Sequence, residues 1–470
     1  MGQSGGVISF FTGTLNSIAW MYVFLPCVFI GGVILTVRTG AIQFDRFGYV
    51  MKNTLGVMFK KREAGRGAVT PLQAVSTALA STVGTGNIVG TSQAIAMGGY
   101  GAVFWLWIAA LLSMAIKYSE VTLSIRFRQR DERGDWVGGP MYYITNGMGR
   151  RWRVLAVIYA ALACLACFGI GNMSQVNSFV CSVIEAVESF RPVSEEASCI
   201  IKWGVGIALA LTVAMILLGG IKRIGSVTEK LVPLMSILYI GMTLVVLICH
   251  AQNIGWAFAQ IVKSAFAPRA VIGAGSGIAL KEAVVWGLRR SAFSNEAGLG
   301  SAGIAHAAAD TDSPVGQGLF GIFEVFADTV VICTMTAMVI ICSRIPVEWG
   351  VIPGSSLVVS AFSTVFGGRL AAVFVAGSLA LFAFSTVLGW ALYGTRCAQY
   401  IFGTKAIRPY QLIFAAMIVV GCVSPIEIVW DIADTLNGLM AIPNFIALFS
   451  LTGVVARLTE EHFSGIRGNK

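Results

Sequence analysis

The sequence predicts an all-α polytopic membrane protein of about 11 transmembrane helices, two of them interrupted by polar, glycine-rich stretches. Three observations carry that prediction. Of 470 residues, 56% are hydrophobic and only 12% are charged, against about 25% charged in an average soluble domain. Mean hydropathy is +0.78, and apolar windows of about twenty residues, each long enough to span a bilayer, follow one another along nearly the whole chain. Two polar, glycine-interrupted stretches lie inside this membrane-grade sequence: residues 77–101, TALASTVGTGNIVGTSQAIAMGGYG, and residues 289–309, RRSAFSNEAGLGSAGIAHAAA. Polar backbone survives at membrane depth only where it lines a protein-enclosed cavity. A matched pair of such stretches in two halves of a chain points to the binding site of a secondary transporter.

The spans follow in order. The first, at 15–37, has no charged start and no small-residue cleavage site after it, so it reads as a retained peripheral helix rather than a signal peptide. Ten core spans follow at 71–96, 102–126, 153–187, 201–219, 229–250, 280–308, 315–343, 370–400, 411–423 and 426–455. Between the fifth and sixth, residues 252–277 read as an interfacial helix and a glycine-rich loop. The predicted organisation is a peripheral helix with a basic linker (1–66), a core in two halves (67–455, divided as 67–250 and 272–455) and a cytoplasmic tail (456–470).

Lys and Arg accumulate in cytoplasmic loops and so set the orientation. Arg38, Arg46, Lys52, Lys60, Lys61, Arg62 and Arg66 follow the first helix, and Arg126, Arg128, Arg130, Arg133, Arg150 and Arg151 lie two helices later. Lys222, Arg223 and Lys230, then Arg396, Lys405 and Arg408, continue the same side. The opposite loops are neutral or acidic, with Glu185, Glu188, Glu195 and Glu196 the clearest case. The alternation places the N-terminus outside and the C-terminus in the cytoplasm, with one acidic exception at Asp310 and Asp312.

The net charge of +10 is explained by these loops, and no basic stripe for nucleic acid can be drawn. Cys164 and Cys167 form a C-x-x-C without a second pair, so packing accounts for them better than a metal does. Cys199 and Cys249 both fall near the outer face. With three histidines, at 250, 306 and 462, and no H-E-x-x-H, the chain lacks the constellation of a metalloenzyme, and no enzymatic activity is expected.

Four segments carry candidate chemistry. In VGTGNIVG (83–90) the glycine spacing is not that of a dinucleotide loop, and no strand–helix alternation surrounds it. Helix packing accounts for Ala78, Ala80, Ser81, Gly90 and Ala94. It does not account for Thr82, Thr85 and Asn87 clustered around Gly84 and Gly86. Glycines flanking Thr85 let the helix unwind, freeing amides for a carboxylate and carbonyls for a small cation. In the second interrupted stretch, Ser294, Asn295 and Glu296 stand between Phe293 and two glycines. An acidic residue inside a span is a functional candidate; the alternative is that Glu296 pairs with Arg289 or Arg290 to hold a gate. His306 reads as a structural histidine. Ser385 and Thr386, in FAFSTVLGWALYG (382–394), offer two hydroxyls that either bond their own helix or join unwound carbonyls around sodium. GIGNMSQVNS (169–178) places Asn172, Gln175 and Asn177 in one apolar helix, and Gln175 suits a zwitterion's headgroup.

Together, VGTGNIVG, GGPMYYI at 138–144, GNMSQVNS, FSNEAGLGSAGIAHAAADT at 293–311 and FAFSTVLGW resemble the alanine/glycine:cation symporter family (sodium:alanine symporters), within the amino acid–polyamine–organocation superfamily. The resemblance spans essentially the whole chain. It implies a multi-pass transporter of the bacterial or archaeal cytoplasmic (inner) membrane that carries small neutral amino acids with sodium or, in some members, protons. It also implies the leucine-transporter-type 5+5 inverted repeat, with core helices 1 and 6 broken, plus one extra N-terminal helix.

By that resemblance Thr85 and Gly86 present backbone to the substrate carboxylate, Gln175 contacts the headgroup, and Phe293 and Trp390 wall a small side-chain pocket. Ser294 and Asn295 lie in the unwound part of core helix 6. Sodium (Na+, as co-transported ion) is expected among the carbonyls of Ala80, Val83 and Phe382 and the hydroxyls of Ser385 and Thr386. Two departures stand out: where the family often has a second aromatic and an acidic residue shortly after the tryptophan, this chain reads ALYGTR at 391–396, and GGYG at 98–101 replaces GGPG. The expected function is sodium-coupled symport of alanine and glycine by alternating access. The alternative is a proton-coupled symporter or an exchanger on the same fold.

Overall fold

A computed structural model describes residues 16–58, 64–65, 67–266, 280–424 and 426–468. Lys60, Lys61, Arg62 and Arg66 of the basic linker, and residues 267–277 of the expected glycine-rich loop, lie outside the described residues. From the N-terminus run α1 (Ile18–Arg38), α2 (Phe47–Met58), α3 (Pro71–Thr82), α4 (Thr91–Gly98) and α5 (Gly101–Arg126). A short antiparallel hairpin, β1 (Gln129–Arg130) with β2 (Trp136–Val137), leads to α6 (Arg150–Glu188), α7 (Glu195–Leu217), α8 (Gly220–Cys249) and α9 (Ile254–Phe266). The remainder is α10 (Leu280–Asn295), α11 (Ser301–His306), α12 (Pro314–Cys342), α13 (Ser356–Phe366), α14 (Gly368–Phe402), α15 (Thr404–Val423) and α16 (Ile426–Gly468).

Among the described residues, nine helices are long and apolar enough to cross a membrane. The spans read at 71–96 and 280–308 do not qualify, because each is divided. The first is α3, an unwound turn, a π-helical stretch at Gly86–Gly90 and then α4. The second is α10, a left-handed turn and then α11. The helix α9 stands where an interfacial helix was expected. Between the spans expected at 315–343 and 370–400, Ser356–Phe366 form an eleven-residue helix, too short to give a transmembrane window.

Local chemistry sets the start of α3. Thr70 accepts from the Gln73 amide at 3.1 Å while the Gln73 side chain accepts from the Thr70 amide at 3.2 Å, and Pro71 fills the first helical position. This reciprocal cap satisfies two amides that a helix start otherwise leaves open.

Packing sorts the helices around the two breaks. The long α5 lies along α10, α12 and α1, while α14 packs on α3, α6 and α13, and α7 pairs with α15. Only 22% and 28% of the most apolar windows of α7 and α8 are buried, so Ile200, Leu211, Ile237 and Ile248 face outward as a lipid-contacting surface requires. Both breaks, in contrast, are enclosed. Thr85, Asn87, Asn295 and Glu296 are buried.

Candidate functional site

The first break begins where Val83 leaves helical geometry, at φ −76° and ψ 87°. Gly84 follows under a steric constraint. A Cβ there would meet Thr386 Oγ1 at 2.5 Å and Gln175 Oε1 at 3.0 Å. Its amide donates to Asn87 Oδ1 at 2.8 Å. Thr85 then donates twice to Gln175 Oε1, from its amide at 3.0 Å and its hydroxyl at 2.9 Å. Gln175 is aimed by its own amide, which donates to Ile170 O at 2.9 Å inside a π-helical turn of α6, Gly169–Met173. Such turns widen a helix locally and recur at functional sites. Gly86 sits against the Phe293 ring, where a Cβ would be 3.1 Å away.

The expected cation ligands meet one residue away. Thr386 Oγ1 donates across helices to Ala80 O at 3.1 Å, whereas Ser385 Oγ donates to Phe382 O on its own helix at 2.8 Å. Of the two hydroxyls, Thr386 therefore escapes the usual own-helix bond. Ala80 thus touches Thr386 and Phe382 touches Ser385, the two hydroxyls being sequence neighbours on α14, and Val83 precedes the glycine that abuts Thr386. These are neutral oxygens around a helix end, a donor set that suits a small monovalent cation.

The second break ends α10 at Asn295 and continues through Glu296 (φ 57°), Gly298 (φ 93°) and Gly300 (φ 73°). Ser294 Oγ donates to Asp328 Oδ2 at 2.7 Å, and Asn295 Nδ2 donates to Thr329 Oγ1 at 3.2 Å. Both side chains thus turn toward α12, whose Asp328 also accepts from Asn87 Nδ2 at 2.7 Å. Asp328 joins the two breaks. Glu296 accepts from Trp390 Nε1 and from Ser301 Oγ, each at 2.6 Å. It does not pair with Arg289 or Arg290, because both arginines are taken by Asp434 of α16, Arg289 in a hydrogen bond and Arg290 at 3.9 Å. Trp390 lies so close to Gly171 that a Cβ there would be 2.1 Å from the Trp390 Cβ.

Not every amide of α6 faces this region. Asn172 donates to Phe414 O at 2.7 Å, and Asn177 to Gly421 O at 2.9 Å, so these two bind α6 to α15. His306 is buried between Glu324 and Gln317, as a structural histidine requires. Among the described residues, five buried charges carry no role in the sequence analysis: Lys117 and Glu120 of α5, Glu324 and Asp328 of α12, and Asp434 of α16. The signal was present, since a charged residue inside a span is costly and functional by default.

At the far end of α14, Arg396 lies 3.6 Å from Asp131 and 3.5 Å from Asp135 of the hairpin. Burial alone would push the Asp131 carboxyl up. Hydrogen bonds from Gln399 and from the amides of Asp135 and Arg133, with the Arg396 charge, more than offset it and hold the group below the ordinary aspartate range.

Comparison with known proteins decides the family. The profile of the sodium:alanine symporter family matches residues 6–469. The chain belongs to that family. The sodium/alanine symporter AgcS of Methanococcus maripaludis is 41% identical over 97% of both chains. The probable sodium/glutamine symporter GlnT of Bacillus subtilis is 34% identical over 96% of this chain and 89% of its own. Among solved structures, MhsT in complex with L-phenylalanine superposes with a TM-score of 0.57 at 14% identity, over 85% of this chain and 99% of that one, which establishes a shared fold. Like its relatives in the family, the protein is a multi-pass membrane transporter of the amino acid symporter type and not an enzyme.

Proposed function

We propose that the protein couples sodium entry to the uptake of small neutral amino acids, alanine and glycine, across the cytoplasmic membrane by alternating access. The observation that carries this reading is the position of residues 80–86. Ala80 O takes the Thr386 hydroxyl, and five residues later Thr85 holds Gln175 through both of its donors. The end of α3 and the unwound turn that follows it therefore adjoin the expected cation ligands on one side and the expected amino-acid ligands on the other. A ligand shifts a conformational equilibrium only by its differential affinity for the two states. Sodium that replaces the Thr386–Ala80 hydrogen bond draws on the same backbone that receives the substrate carboxylate at Thr85 and Gly86.

Gln175 then meets the headgroup, and Phe293 with Trp390 limits side-chain size. Ser294 and Asn295 act from the second break through Asp328 and Thr329. In this reading the core repeats as 67–250 and 272–455, upside down, beside a peripheral helix in 1–66, with 456–470 as a cytoplasmic tail. The N-terminus is outside. The relatives carry alanine and glutamine in their names, so the wall at Phe293 and Trp390 is the part of the site assigned to substrate choice.

The test is uptake of labelled alanine into proteoliposomes under an inward sodium gradient, against choline. Sodium-dependent accumulation above equilibrium supports the reading. Accumulation without sodium favours a proton, for which the buried Lys117–Glu324–His306 chain is the group to mutate. No alanine signal sends the substrate assignment to a competition screen.

A further inference from the structure

Lys117 and Glu120 stand three positions apart on α5, so they share one face of that helix. Both are fully buried, and from that face they reach the two ends of the break between α10 and α11. Lys117 Nζ donates to Asn295 O at 2.6 Å. Asn295 is the last residue of the sixteen-residue α10, where unpaired carbonyls carry the negative end of the helix dipole. Glu120 Oε1 accepts the amides of Gly298 at 2.9 Å and Gly300 at 3.0 Å. Those amides belong to the left-handed turn. Buried and unpaired, each would cost as much as a lost hydrogen bond.

The arrangement extends in two directions. Asn444 Nδ2 donates to Glu120 Oε1 at 2.7 Å and to Gly298 O at 2.8 Å, and Tyr143 donates to Asn444. On the other side, Lys117 Nζ lies 3.4 Å from Glu324 Oε2, whose other oxygen is bonded to His306 of α11. The turn of residues 295–300 is thus held by Lys117 on its carbonyl end and by Glu120 Oε1 on its amide end.

We infer that Lys117 and Glu120 are positioning residues for substrate binding: together they clamp the break in the shape that presents Phe293, Ser294 and Asn295 to the amino acid. The inference rests on the reading that this break lines the amino-acid site. It adds two residues on a neighbouring helix that touch neither substrate nor sodium. Without Lys117, the dipole of α10 would end on an unpaired buried carbonyl. Without Glu120, the buried amides of Gly298 and Gly300 would lose the acceptor that holds the turn directly after Asn295.

The experiment measures alanine affinity and sodium half-saturation on purified, monodisperse protein, for the wild type, Glu120→Gln, Lys117→Met and the double variant. Each single variant is expected to weaken alanine binding about tenfold or more, as the loss of a charge-assisted hydrogen bond does. Sodium half-saturation at fixed saturating alanine should stay within about twofold, since Thr386 and Ala80 lie on α14 and α3. The double variant should be no weaker than about threefold below the worse single one, because coupled residues are not additive. A merely structural role would lower both affinities together. Wild-type alanine affinity in both folded single variants, or equal loss of alanine and sodium affinity, overturns the clamp. Should Glu120→Gln not fold, Glu120→Asp keeps the charge and shortens its reach: weaker alanine binding is expected there, and unchanged affinity overturns the clamp. Absence of alanine binding in the wild type defeats the transport reading instead, a result that the variants do not mimic.

Discussion

The carboxylate of Glu296 accepts the indole N–H of Trp390 at 2.6 Å, tying the break between α10 and α11 to the long helix α14. The bond fixes a bulky ring beside Gly171 and gives one buried carboxylate oxygen its partner. Trp390→Phe keeps much of the ring and loses the donor. It is expected to slow alanine uptake about tenfold, the scale of one hydrogen bond to a buried charged group. Trp390→Leu also opens the wall and is expected to admit larger side chains, scored by competition against labelled alanine. Unaltered selectivity in a folded Trp390→Leu would remove Trp390 from the pocket.

Gln175 is the common acceptor for both donors of Thr85. Gln175→Ala leaves a buried amide and hydroxyl to find new partners and removes a headgroup contact. A loss of alanine affinity of about tenfold or more is expected, equivalent to about 1.4 kcal/mol, with sodium binding kept. Isothermal titration or scintillation proximity measures it, and unchanged alanine affinity takes Gln175 out of the site.

The two hydroxyls of α14 are expected to behave differently. Thr386 reaches Ala80 across the helix interface, while Ser385 bonds its own helix. Thr386→Val, equal in shape but without the hydroxyl, should raise the sodium concentration for half-maximal uptake several-fold, about 1 kcal/mol for one neutral hydrogen-bonding ligand. Ser385→Ala should shift it less. Identical sodium curves for wild type and Thr386→Val would rule out that hydroxyl as a ligand.

The hairpin carboxylate Asp131 gives a prediction about pH. Its folded pKa is depressed, so its contribution to stability is present above the unfolded pKa and is lost as pH falls through the folded one. The stability difference between wild type and Asp131→Asn should therefore stay constant from about pH 8 to about pH 5 and shrink only in stronger acid. Thermal unfolding of detergent-purified protein across that range checks it. A difference that already shrinks near neutrality contradicts the hydrogen-bond assignment to Gln399, Asp135 and Arg133.

Much of this protein was legible in its sequence, for a physical reason specific to membranes. Hydrocarbon admits only self-satisfied backbone, so polar glycine-rich stretches in apolar sequence locate the breaks by composition. Thr85, Gly86, Phe293 and Trp390 were found that way and by family motif. The hairpin 129–137 and the short helix α13 were not, because neither carries a transmembrane pattern.

What the sequence by itself determined is the membrane-embedded helical class, the two interrupted spans and the polar residues within them. Tertiary structure alone decided partnership. Whether Glu296 met an arginine or Trp390, whether Asn172 or Gln175 faced the break, and which of two adjacent hydroxyls crossed to another helix depend on helix rotation. So does the gathering of Lys117, Glu120, Glu324 and Asp328 around one break from two helices. A side chain's partner is fixed by which face of its helix is turned inward, and packing against helices hundreds of residues away sets that rotation.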